Sequence, residues 1–216
     1  MGSIEIRMME RVPEQPADPG PKPPEGDLPL TCSAGDIYVG YFSFKEKLVR
    51  LLWMIVQATL FRWSLRRADR WRSFLMRCFG ATVGKGCMIR STVRVEVPWN
   101  ITIGDGAALG ESAILYSLGP ISVGDHTTIS QYSHVCAGSH DYTRSDMPLH
   151  RVPVRIGADV WVCADVFVGP GVVIGDGALV GARATVVSDL PPWKICVGNP
   201  ARPIKDRPFR RVRKER

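Results

Sequence analysis

The groups best able to move a proton lie in one stretch, from Cys136-Ala137-Gly138-Ser139-His140-Asp141-Tyr142-Thr143 to Met147-Pro148-Leu149-His150. His140 stands directly before Asp141. An imidazole titrates near neutrality, so it can take up and return a hydroxyl's proton at physiological pH. A base so placed typically contributes about 10²- to 10⁴-fold in rate. A loop histidine can equally be a surface residue, and residue types alone leave both readings open. The scaffold around this stretch therefore carries much of the argument.

That scaffold counts in sixes. Aliphatic residues recur at Val83, Ile89 and Val95, at Ile103, Leu109 and Leu115, at Val123, Ile129 and Val135, and then from Ile156 through Val162, Val168, Ile174 and Val180 to Val186. Such short internal periods signal a solenoid. Each break in the count follows a third hexad, with two extra residues before Ile103, two before Val123, and the long His140 insertion before Ile156. Three hexads therefore make one coil, and every insertion leaves from the same corner. Gly or Asp opens most units, as in Ile103-Gly104-Asp105 and Ile174-Gly175-Asp176, where the backbone must turn sharply. This grammar predicts an all-β solenoid, a parallel β-helix of about five coils and triangular section. Crossovers between parallel strands are right-handed in about 98% of cases, so physics alone favours a right-handed coil.

The remainder divides by composition. Residues 1–40 form a Pro-rich arm, with Pro13, Pro16, Pro19, Pro21, Pro23, Pro24 and Pro29 among scattered acids, and are expected to be disordered; they lack the basic start and apolar run of a secretory signal. Residues 41–80 read as a basic, amphipathic helical cap over the first coil, its apolar stretch from Leu48 to Val56 too short to span a bilayer. Trp71, Phe74, Leu75, Cys78 and Phe79 are spaced for one helix face, with Arg66, Arg67, Arg70, Arg72 and Arg77 around the rest. That basic face could also rest on an anionic membrane. Residues 206–216 are a basic tail, and the net charge of +7 raises nucleic acid as a partner. No nucleic-acid motif or stacking platform accompanies it, so none is expected. The cysteines, Cys32, Cys78, Cys87, Cys136, Cys163 and Cys196, have no paired spacing and read as small buried fillers in a reducing compartment. Gly80-Ala81-Thr82-Val83-Gly84-Lys85 is one residue short of a phosphate-binding loop and continues into Gly86.

The repeat, with units such as Ile174-Gly175-Asp176-Gly177-Ala178-Leu179-Val180-Gly181, resembles the hexapeptide-repeat acyltransferases over roughly residues 81–205. The resemblance implies a left-handed coil, acetyl-CoA as co-substrate, no metal, and a homotrimer whose site lies between subunits. It implies that His140, at the start of the 136–155 loop, is the catalytic base, with Asp141 or a backbone carbonyl orienting its ring. It implies that the Ala164 amide meets the oxyanion. Coenzyme A would run past Trp161, Cys163, Ala164, Gly181 and Ala182, with Arg202 and Lys205 of Gly198-Asn199-Pro200-Ala201-Arg202-Pro203-Ile204-Lys205 near its phosphates. Val187-Ser188 stand where sugar acetyltransferases often carry Thr-Lys.

Pro98-Trp99-Asn100, Gly138 to Tyr142 and Pro191-Pro192-Trp193 are similar more narrowly to the colanic-acid-biosynthesis acetyltransferases. That similarity implies O-acetylation of an exopolysaccharide unit by a cytoplasmic enzyme, peripheral to the inner membrane face, with Tyr116, Ser117 and Tyr142 near the sugar or glycan acceptor. Three alternatives stand beside it: a non-sugar acceptor such as an antibiotic or amino acid, a zinc carbonic anhydrase on the same fold, and a non-catalytic scaffold. Among His126, His134, His140 and His150 no pair is five apart, the spacing that zinc enzyme uses.

Overall fold

A computed structural model describes residues 38–39 and 42–208. The arm expected over 1–40 lies outside the described residues apart from Tyr38 and Val39, as does the tail from 209 to 216. Strands are numbered in chain order. A first face stacks β2 (Thr82–Val83), β5 (Ile101–Ile103), β8 (Ile121–Val123), β13 (Val154–Ile156) and β16 (Val173–Ile174) in parallel. The second stacks β3 (Met88–Ile89), β6 (Ala108–Leu109), β9 (Thr128–Ile129), β14 (Trp161–Val162), β17 (Leu179–Val180) and β19 (Lys194–Gly198), closed by antiparallel β20 (Ala201–Asp206). The third stacks β4 (Arg94–Val95), β7 (Ile114–Tyr116), β10 (His134–Cys136), β15 (Phe167–Val168) and β18 (Thr185–Val186).

The register follows the hexads. Val83, Ile103, Val123, Ile156 and Ile174 stand in one column, Ile89, Leu109, Ile129, Val162 and Val180 in another, and Val95, Leu115, Val135, Val168 and Val186 in the third. All fifteen are at most 6% exposed and form the core. No coil could bury them alone, so each depends on the next. Among the described residues there are five full coils and a sixth begun, since Leu190 bridges to Ile174 and Cys196 pairs with Val180. Corners are tight: a Cβ on Gly124 would lie 2.5 Å from the Ala158 nitrogen of the next coil. At the same corner the Asp105 carboxylate accepts the Lys85 N–H and the Asp125 carboxylate accepts the Asp105 N–H, which ties successive coils.

The first coil would present three unpaired strand edges, a standing invitation to further pairing. Helices α1 (Phe44–Val56) and α2 (Asp69–Cys78), joined through a π-helical turn at Gln57–Phe61, supply the missing partners from side chains. Arg77 donates to the carbonyls of Val83 and Gly84. Asp69 accepts the Ile89 N–H while Arg72 donates to the Ile89 carbonyl. Gln57 accepts the Val95 N–H, and the Trp53 indole donates to the Val95 carbonyl at 2.7 Å. Each edge strand is thus met by the cap.

This arrangement corrects the expected face of α2. Arg72, Ser73, Leu75 and Met76 are buried, whereas Trp71 and Phe74 are exposed and stacked on each other with centroids 5.7 Å apart. Edge carbonyls reward a buried guanidinium more than an apolar ring there. Of the cysteines expected to be buried, Cys87 and Cys196 are; Cys136 and Cys163 are half-buried, Cys78 is exposed, and Cys32 lies outside the described residues.

Candidate active site

After β10 the chain leaves the corner between the third and first faces. The excursion read as a loop is a hairpin: β11 (Gly138–His140) pairs antiparallel with β12 (Leu149–Arg151), and β1 (Tyr38–Val39) pairs with β12 on its other side. Ser139 lies opposite His150, and His140 opposite Leu149. A compact turn joins the two strands. The Asp141 carboxylate accepts the Thr143 N–H at 3.0 Å and the Thr143 hydroxyl at 2.6 Å, an Asx turn that begins the reversal. The Asp141 N–H reaches the Pro148 carbonyl at 3.1 Å and closes it.

Met147 adopts a left-handed backbone conformation, φ +38°, and its carbonyl lies 2.6 Å from His140 Nδ1. A carbonyl only accepts, so Nδ1 carries the hydrogen. The neutral ring then keeps its lone pair on Nε2, the state a general base requires. Asp141 directs its carboxylate to Thr143, whose hydroxyl and amide hold its pKa below the usual carboxylate range. A backbone carbonyl, the second of the two expected orienters, holds the ring.

The expected coenzyme residues gather elsewhere, at the corner between the second and third faces. Ala164 turns the chain between β14 and β15, with Asp165 at φ +60° behind it. One coil on, Gly181 and Ala182 make the same turn, and the Arg183 N–H bonds to the Ala164 carbonyl at 3.0 Å. Among the described residues no acceptor meets the N–H of Ala164, nor those of Gln131 and Ala182 at the same corner. Trp161 is 46% exposed, its indole donating to Ser130 Oγ, and burial pushes the Cys163 thiol's pKa up. Gly181 has a packing reason to be glycine, since a Cβ there would meet Val197 Cγ1 at 2.7 Å. Trp161, Leu179, Ile195 and Lys205 stand in one row across the second face. Arg202 is exposed on β20, and its guanidinium donates to Ser188 Oγ.

The acceptor residues fare unequally. Tyr116 is 37% exposed beside a groove of about 550 Å³ that Arg94, Glu96, Met54 and Trp63 also line. Tyr142 is 88% exposed at the hairpin turn. Ser117 faces inward, wholly buried, its hydroxyl accepting from the Val97 N–H and donating to the Val97 carbonyl; it has no free face for a substrate. Arg94, Glu96, Thr143 and the Met147 carbonyl were not anticipated. Only Asp141-Tyr142-Thr143, an Asx-turn pattern, gave a usable signal. His140 and Ala164 lie at different corners of the triangular section, so one chain does not bring base and candidate oxyanion donor together through its coil geometry. Among the described residues no group of His, Cys, Asp and Glu is placed to hold a metal ion.

Residues 153–188 match the bacterial transferase hexapeptide family (six repeats). The candidate colanic acid biosynthesis acetyltransferase WcaF of Escherichia coli (strain K12) is 48% identical over 156 residues, which span 72% of this chain and 86% of WcaF. The chain belongs to the hexapeptide-repeat acetyltransferases. Solved members of the hexapeptide-repeat acetyltransferases superpose closely. VCA0836 from Vibrio cholerae O1 biovar eltor, complexed with acetyl coenzyme A, gives a TM-score of 0.69 at 27% identity over 76% of this chain and 90% of its own. A galactoside acetyltransferase in complex with coenzyme A gives 0.72 at 25% identity over 80% and 87%.

Proposed function

We propose that this acetyltransferase uses acetyl-CoA to O-acetylate a sugar hydroxyl, in the cytoplasm, on an exopolysaccharide unit or its precursor. The observation that carries the reading is the His140 Nδ1 contact with the Met147 carbonyl, which leaves Nε2 as a base. The galactoside acetyltransferase supports a sugar acceptor, and the name of WcaF supports an exopolysaccharide.

A sugar hydroxyl is protonated at neutral pH and attacks a thioester poorly. As its oxygen bonds to the acetyl carbon, Nε2 of His140 takes the proton. The oxyanion so formed is met by the Ala164 N–H, a donor fixed before the reaction starts. Collapse breaks the carbon–sulfur bond, and the imidazolium returns its proton to the leaving thiolate. Small residues at Ala164, Gly181 and Ala182 leave the corner low enough for a pantetheine chain, and Arg202 and Lys205 are exposed cations suited to its phosphates. The different corners of His140 and Ala164 support a site completed by a neighbouring copy, as in a homotrimer. Tyr116 and its groove, with Tyr142 on the hairpin, are the acceptor-side candidates; Ser117 is not.

The test is thiol release from acetyl-CoA by the purified protein against sugars, nucleotide sugars and lipid-linked glycans, beside amino acids and antibiotics. The His140→Ala protein is expected to bind coenzyme A normally and to lose about 10²- to 10⁴-fold in turnover. Release with a non-sugar acceptor alone would replace the sugar reading. Unchanged turnover in His140→Ala would remove the base.

A further inference from the structure

The helical cap uses only one side of α1. Trp53 is fully buried against the first coil, and Arg50 and Gln57 beside it engage Glu96 and Val95. The opposite side carries Phe44, Leu48, Leu51, Leu52 and Ile55, a helical stripe in which each residue is 53% to 82% exposed. Nothing among the described residues covers it. The stripe continues through Leu60 of the π-helical turn to Trp63 and Leu65, which with Trp71 line an open groove of about 520 Å³. Trp63 is 85% exposed and Leu65 83%. A row of this length and apolarity is unusual on a free surface and marks an interaction site.

Its charges name the partner. Lys45, Lys47, Arg62, Arg66, Arg67 and Arg70 are exposed around the stripe. The two carboxylates of this region are occupied, Glu46 in a capping box with Ser43 and Asp69 on Arg72 and the Ile89 N–H. We propose that this face docks the protein on the surface of an anionic lipid bilayer. The stripe would enter the acyl boundary while the long Lys and Arg stems reach back to lipid phosphates, and Trp63 and Trp71 suit the headgroup level. A second copy is a poorer occupant, because pairing this face with itself sets six cations against six. Insertion across the bilayer is not involved: Lys45, Glu46, Lys47 and Arg50 interrupt the helix, and no helix among the described residues is long and apolar enough to span. The proposal is independent of the acceptor and of the base.

The test is flotation of the full chain with vesicles of equal parts phosphatidylcholine and phosphatidylglycerol, and with phosphatidylcholine alone. Flotation is expected with the anionic vesicles and is expected to weaken in high salt, because the attraction to headgroups is screened. The double variant Leu51→Glu, Ile55→Glu is expected to stay in the dense fraction with an unchanged thermal melt, since both side chains already face solvent. Arg66→Glu, Arg67→Glu is expected to lose the preference for phosphatidylglycerol. Wild-type protein that never floats with anionic vesicles would overturn the proposal. So would a change in oligomeric mass of Leu51→Glu, Ile55→Glu in lipid-free buffer, which would make the stripe an interface between copies.

Discussion

His140 and Met147 face each other across the turn of the β11–β12 hairpin, the ring Nδ1 2.6 Å from the Met147 carbonyl. The partner is main chain, so it has no pKa of its own and orients the imidazole equally at every pH. A carboxylate there would also have raised the basicity of the ring. With a carbonyl, the position of the ring depends on the backbone of Met147, which sits at φ +38°.

The first prediction concerns that backbone. A left-handed conformation costs a non-glycine residue energy, and a β-branched side chain resists it most. Met147→Gly is expected to keep the carbonyl in place and leave kcat close to wild type. Met147→Val is expected to withdraw the carbonyl and lower kcat by about ten-fold, equivalent to roughly 1.4 kcal/mol of lost orientation. Coenzyme A affinity, measured by calorimetry, is expected to stay constant in both. Equal kcat in the two variants would mean that the carbonyl does not position the ring.

Asp141 gives a pH-resolved test. Its carboxyl is held below the ordinary range by the Thr143 hydroxyl and amide, so its contribution to the turn is present above that range and lost as pH falls through the depressed value. Between about pH 5 and 9 the group stays charged, so it adds no inflection of its own to the pH profile of kcat/KM there. Asp141→Asn keeps an acceptor for the Asx turn and is expected to preserve the profile. A kcat/KM profile displaced in Asp141→Asn would show that the carboxylate acts on the ring and not on Thr143 alone.

The cap offers a stability prediction. Arg72 is fully buried and donates to Ser64, Leu65, Arg66 and Asp69 at 2.7 to 3.0 Å, and also to the Ile89 carbonyl on the edge of β3. Arg72→Met leaves several acceptors and the Asp69 charge without their donor. The expected cost is about 3 kcal/mol, the low end for breaking a buried pair because Asp69 keeps some solvent. Arg72→Lys is expected to recover little, since one ammonium cannot serve all these acceptors. Urea denaturation would read both.

These positions also mark what the sequence could and could not disclose. The hexads were legible because an inward aliphatic every sixth residue is a local consequence of coil geometry, and all fifteen point inward. The sixth coil escapes the count because Leu190, its first inward residue, comes four positions after Val186 instead of six, and Pro191-Pro192 follow at once. Arg72 reads from the sequence as the wet side of α2, because a polar residue looks exposed until the carbonyls that bury it are known. Ser117 reads as an acceptor contact because its Val97 partner, 20 residues away, has no trace in the local sequence. His140 was found from its type and place in the repeat, whereas the Met147 carbonyl has no side-chain signature to find.

Ala164 permits a substitution that removes one atom's chemistry and keeps the shape. It occupies the second position of a corner whose third residue, Asp165, has φ +60°, the pattern of a turn that accepts proline at its second position. This chain already places Pro170 before Gly171, φ +79°, at another corner. The Ala164 N–H makes no hydrogen bond among the described residues, so proline there costs the coil no inter-coil bond. Ala164→Pro is therefore expected to melt within a few degrees of wild type. If that N–H meets the oxyanion, kcat falls by about 10²- to 10³-fold, because a preorganised donor in a closed site is worth that much. Such a fall in kcat, with an unchanged melt and an unchanged coenzyme A affinity by calorimetry, would identify the donor; a weakened affinity would mean that the proline ring crowds the pantetheine path. A melt and a turnover both equal to wild type would send the oxyanion to another amide.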